Sequence, residues 1–160
     1  ISPDRRLSLS VIIWALTFGL SRKSLEAFDD DFITQFRSSN CIHAKPWREL
    51  ERHHREGAHL FVVSGSPENL VRRIYPTLSS DERVTLIGSE LKRFMGGFYL
   101  AIRCVCSEKV RQIESHAGQN ICFIAGYSDS NKDKPALELC ESKYRISSTG
   151  EIEDWGDECE

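Results

Sequence analysis

The sequence has a single methionine, Met95, and it opens Ile1-Ser2-Pro3. Such an opening is not a natural translation start. We therefore expect that a segment upstream of Ile1 was removed by processing or cloning, or was never recorded. An excess of either charge is also lacking: the formal net charge is -3, with 21 Lys and Arg against 24 Asp and Glu. That balance excludes the broad basic surface expected of a nucleic-acid partner. The six cysteines (Cys41, Cys104, Cys106, Cys122, Cys140, Cys159) contain no Cys-x-x-Cys pair. Zinc ligation, including a site built from Cys104, Cys106 and a histidine, does not fit that spacing. Most of them lie in or beside apolar segments, as reduced thiols used as small hydrophobes do, and a reducing compartment is expected. The chain has no internal repeat, no low-complexity linker and no apolar run of the ~20 residues that a membrane-crossing helix needs. Oligomeric state is left open.

What is present reads as one globular chain. Apolar residues make up 40% and charged residues 28%, the proportions of a folded domain with a core. The most apolar stretch is LSLSVIIWALTFGL, residues 7–20, between Arg5-Arg6 and Arg22-Lys23. No small-residue cleavage pattern follows it, so it is not a signal peptide. It suits either a helix lying in a membrane interface with Trp14 as anchor, or an ordinary buried helix.

SRKSLEAFDDDFITQF reads as a second helix capped by Ser21, with Leu25, Phe28, Phe32, Ile33 and Phe36 on one apolar face. Pro46 suits the first turn of a third helix that Gly57 ends. From Ala58 the pattern changes. HLFVV, VTLIG, FYLAIR, ICFIA and YRIS read as strands; SGSPENLVRRIYPTL with Pro67 opening a helix, SEKVRQIESHAG capped by Ser107 and ended at Gly118, and KPALELCES read as helical segments. SELKRF and FYLAIR form a hairpin closed by Met95-Gly96-Gly97. Alternating strands and helices predict an α/β fold with a Rossmann-like, mostly parallel sheet and an N-terminal helical cap. The expected modules are a cap over 1–57, apposed to a membrane in one reading, an α/β core over 58–150, and a frayed acidic tail over 151–160.

Ligands of such sheets bind beyond the carboxyl ends of the strands. Three polar features fall there. Ser64 and Gly65 end the strand HLFVV. Lys109 opens the helix after FYLAIR. Asp129 and Asp133 sit in the turn AGYSDSNKDKP after ICFIA. A serine hydroxyl with following amides binds a phosphate oxygen, a lysine offsets phosphoryl charge, and two carboxylates hold Mg²⁺ while leaving room for water and phosphate. Each feature alone is also an ordinary turn, cap or solvated charge. Their order along the chain is what joins them.

The triplet VVSGSP, SEKV and GYSDSNKDKP resembles motifs two to four of the haloacid dehalogenase superfamily of phosphohydrolases. WALTFG, SGSPENLV, MGGFYLAIRCVCSEKV, GYSDSNKDKPALELC and YRISSTGEIE more closely resemble the phosphatidylglycerophosphatase C family of bacterial membrane enzymes, over nearly the whole chain. The resemblance implies that Ser64 binds the phosphoryl oxygen and Lys109 stabilises its charge. It also implies that Asp129 ligates Mg²⁺ and that Asp133 supports the metal site. Arg103 either touches the phosphoglycerol head or is a solvated arginine. The implied substrate is phosphatidylglycerol phosphate, a phospholipid, and the implied place is the bacterial inner membrane with the catalytic part in the cytoplasm. Other readings are a soluble phosphomonoesterase of the same superfamily and a non-catalytic phosphate- or lipid-binding module.

One part of the family pattern is missing. Residues 1–160 contain no D-x-D-G-T, the motif that carries the nucleophilic aspartate in this superfamily. Asp29-Asp30-Asp31 lies inside a helical pattern with no Gly-Thr after it, and reads as a charged helix face. The motif is expected upstream of Ile1, with the chain as given inactive, unstable or prone to self-association.

Overall fold

A computed structural model of the chain describes residues 3–39 and 42–156. Three helices come first: α1 (Pro3–Thr17), α2 (Arg22–Ser38) and α3 (Ala44–Arg55). There follow β1 (Leu60–Pro67), α4 (Glu68–Ile74), α5 (Pro76–Ser79), β2 (Val84–Phe94), β3 (Gly97–Ile102) and α6 (Ser107–Ala117). The chain then forms β4 (Phe123–Ser128), a short 3-10 turn over Asn131–Asp133, α7 (Lys134–Leu137), β5 (Cys140–Ile146) and β6 (Ile152–Asp154). The α/β class holds. The sheets are mixed, with orders β1-β2-β3 and β4-β5-β6. β4 and β5 run parallel, while β2–β3 and β5–β6 are antiparallel.

The chain gathers into two compact units. One comprises Ile1–Cys41, Val62–Asp81 and Leu86–Cys104; the other comprises Ile42–Phe61, Glu82–Thr85 and Val105–Glu160. In the first, the central strand β2 is buried on both faces, with Leu86 and Ile87 at 3% and 1% exposure. Phe94 pairs with Gly97 across a two-residue loop. Met95 and Gly96 both take positive φ there, 43° and 86°. A twist-compatible hairpin turn demands that pair of values, and only the glycine adopts it without strain.

Helix α1 lies along β3. The indole N–H of Trp14 donates to the carbonyl of Phe94 at 2.8 Å, and the Thr17 hydroxyl accepts from the Phe98 N–H at 2.8 Å. Trp14 is therefore held on the hairpin by its one polar atom, which corrects its reading as a membrane anchor. Leu7, Val11 and Leu16, on the outer face, are exposed.

Inner-membrane placement is corrected as well. Among the described residues no helix is long and apolar enough to cross a membrane. Helix α1 has 15 residues, whereas a hydrocarbon core about 30 Å thick needs ~20. The membrane description and the inner-membrane localisation both fall with that finding.

Ser21 caps α2 as expected, its Oγ accepting from the Ser24 N–H at 3.1 Å. The apolar face of α2 is only partly covered: Ile33 is buried, while Phe28 and Phe32 are exposed. KPALELCES is not one helix. Helix α7 ends at Leu137, and Cys140 already pairs with Phe123 in the parallel ladder. Non-local pairing overrides helix propensity here. Ser107 is the first helical residue of α6 rather than its cap; Cys106 takes that place, at φ 51°. In the tail, Ile152–Asp154 pairs with β5, and residues 157–160 lie outside the described residues.

Candidate active site

Strand β4 alternates its side chains between two faces, as any strand must. Tyr127 stacks on Tyr144, and its hydroxyl meets Nε2 of His53 at 2.9 Å. Burial raises the Tyr127 phenol above its ordinary value. Ser128, next along and last in the strand, is buried. Its hydroxyl donates to Oδ2 of Asp133 at 2.8 Å and accepts from the Ser130 N–H at 3.1 Å. The Asp133 N–H donates to the Ser130 carbonyl at 2.9 Å. The turn after β4 is thus wired to itself by short-range bonds typical of Ser- and Asp-rich loops.

Lys109 completes this centre. It stands in the first turn of α6 and its Nζ donates to the same Oδ2 of Asp133 at 2.7 Å. The two side chains are only 11% and 17% exposed. A cation in the first turn opposes the helix dipole, and a buried cation without a partner is costly. Asp133 offsets both effects. The structure therefore brings Lys109 and Asp133 together, with Ser128 as a third member. Asp129 follows Ser128 directly and is exposed.

Ser64, Gly65 and Arg103 belong to the first unit. Ser64 Oγ accepts from the Ser66 N–H at 3.1 Å, a local turn at the end of β1 that leads into α4. Gly65 is exposed and Arg103 half-buried. Asp29 and Asp30 lie on α2, as the helical pattern requires, and both pair with Arg73. Burial raises the Asp29 carboxyl above its usual range although the neighbouring guanidinium lowers it. Asp31 is on the same helix.

Ser128 is not among the site residues that the sequence predicts. Its signal is a small polar residue at the end of an apolar strand, one position before an aspartate.

Among the described residues no group of three or more His, Cys, Asp or Glu side chains could hold a metal ion. Mg²⁺ needs fewer, since it commonly takes one or two carboxylates and keeps water and phosphate for the rest. Asp129 and Asp133 are carboxylates of the kind Mg²⁺ takes, four residues apart in the chain. Beside Asp133 stand the Lys109 ammonium and the Ser128 hydroxyl, both donating to its Oδ2.

No solved structure matches the chain. Its sequence matches the haloacid dehalogenase-like hydrolase family over residues 1–138, a span that contains Ser64, Lys109, Asp129 and Asp133. With its α/β fold and a match over most of its length, the chain belongs to the haloacid dehalogenase-like hydrolase family.

Proposed function

We propose that this hydrolase is a Mg²⁺-dependent phosphatidylglycerophosphatase, releasing phosphate from phosphatidylglycerol phosphate. The observation that carries the reading is the centre at the carboxyl end of β4, where Lys109 Nζ and Ser128 Oγ share Asp133 Oδ2. The Asp133 contact holds the Lys109 side chain oriented before substrate arrives, which is what stabilising a phosphoryl group requires. By the family resemblance Ser64, Gly65 and Arg103 are proposed as substrate-binding residues, all three within the first unit. Asp129, with Asp133, would hold Mg²⁺, which neutralises phosphate charge. Residues 1–160 contain no D-x-D-G-T, so no nucleophile is assigned within them.

The test measures phosphate released in Mg²⁺ from phosphatidylglycerol phosphate and from a water-soluble monoester. It compares residues 1–160 with the product of the full coding sequence. We expect release by the latter only, a preference for the lipid, and a loss of about 100-fold or more in Lys109→Met and Asp129→Asn, as for removing a group that stabilises transition-state charge. Turnover by residues 1–160 alone would count against a missing nucleophile and would make Asp29, Asp30 and Asp31 the first residues to replace.

A second reading is a monoesterase for water-soluble phosphates. It is favoured by the engagement of Trp14 with the hairpin, which removes one anchor for a lipid surface. Equal rates on the two substrates would select it.

A further inference from the structure

We propose that Ser89 is a positioning residue for the segment Ser64–Ser66, setting the direction of the Ser64 hydroxyl. The inference rests on the reading of Ser64 as a phosphate ligand. Ser89 is at 2% exposure in the central strand β2. Its hydroxyl donates to the carbonyl of Gly65 at 2.7 Å and accepts from the Cys104 N–H at 3.0 Å. One buried hydroxyl thus joins the end of β1 to the chain just beyond β3, using its single donor and one acceptor position.

The consequence follows from peptide geometry. In a planar trans peptide the carbonyl oxygen and the next N–H point to opposite sides, and the chain has no cis peptide among the described residues. Turning the Gly65 carbonyl onto Ser89 therefore sets the direction of the Ser66 N–H. That N–H donates to Ser64 Oγ at 3.1 Å. With an acceptor position of Ser64 occupied, its hydroxyl proton is left to donate outward, to an anionic oxygen.

Gly88, the preceding residue, supports the same segment by absence of bulk. A Cβ there would lie 2.6 Å from Cα and 2.7 Å from N of Glu68, the first residue of α4. The Gly88-Ser89 pair thus seats both the loop and the helix start that follows it. Neither residue carries chemistry itself, and neither belongs to a motif visible in the sequence.

The experiment uses residues 1–160 with inorganic phosphate in Mg²⁺ as the probe. It reads phosphate affinity together with the amide signal and hydrogen exchange of Ser66. In Ser89→Ala we expect faster Ser66 exchange and about tenfold weaker phosphate binding, the scale of one hydrogen bond. Ser89→Thr, which keeps the hydroxyl, should restore both. Ser64→Ala should weaken phosphate binding at least as much as Ser89→Ala. If Ser89→Ala does not fold, Ser89→Cys replaces it, with a weak donor of similar shape.

An unchanged Ser66 amide in the folded variant overturns the proposal, as does a changed amide with wild-type affinity. If the amide responds but the wild type itself binds no phosphate, the reading of Ser64 as a phosphate ligand fails and takes the proposal with it.

Discussion

Asp133 is the residue on which the centre depends. Two donors converge on its Oδ2, one of them an ammonium with an 11% exposed side chain. In Asp133→Ala the Lys109 charge stays nearly buried without its counter-ion. We expect a loss on the order of 3 kcal/mol in urea unfolding, since removing one partner of a buried pair costs more than the pair contributes. Adding Lys109→Met should recover a good part of it, and a loss that Lys109→Met leaves untouched would show that the pair is not the cause. Cys140 offers a test by pH. Burial pushes its thiol up to about 11, against 9.0 for an ordinary thiol. The folded chain therefore keeps a proton that the unfolded chain gives up. The stability this contributes is fully present below pH 9.0 and is lost as pH rises through about 11. Wild type should lose stability relative to Cys140→Ala across that window. At pH 8, maleimide should label the exposed Cys122 well before Cys140.

At the scale of elements, the β2–β3 hairpin combines one strained position with one close approach. Met95 sits at φ 43° and is 74% exposed, so its side chain contributes little to offset the strain. Met95→Asn should stabilise the protein by about 1 kcal/mol, because asparagine visits the left-handed region at lower cost. Thermal unfolding reads this directly, and a fall in midpoint would exclude strain at the turn. Gly97 is the opposite case. A Cβ there would stand 2.7 Å from both the Trp14 ring and the Trp14 carbonyl oxygen. Gly97→Ala should cost about 1–3 kcal/mol, since the contact includes backbone that cannot turn aside. An unchanged unfolding curve would mean that α1 is free to shift on β3. The two substitutions are two residues apart and act in opposite directions for unrelated reasons.

For the whole molecule, each compact unit draws on three separate stretches of chain, so neither is a simple N- or C-terminal piece. Residues 58–160 alone lack α1, which covers β3 in the first unit. They also lack α3, which provides His53 to Tyr127 and places His43 against Gly150 in the second. We expect that shorter chain to unfold at lower urea than residues 1–160; an unchanged midpoint would show that the helices add nothing to stability. The sequence by itself determined the α/β class, the cap at Ser21, a hairpin closed at Met95-Gly96-Gly97 (of which Gly97 already belongs to β3) and the helix that carries Asp29–Asp31. All of these follow from period, capping and turn chemistry, which act between near neighbours. It also placed Lys109 at a helix start and Asp133 in the turn after a strand. Only the tertiary structure decided that these two meet on one oxygen, that Ser89 is a buried bridge, that Cys140 leaves a helical pattern for a parallel ladder, and that the Trp14 indole is spent on the hairpin. Each of those outcomes is settled by partners distant in sequence, and no local pattern encodes where a distant partner will stand.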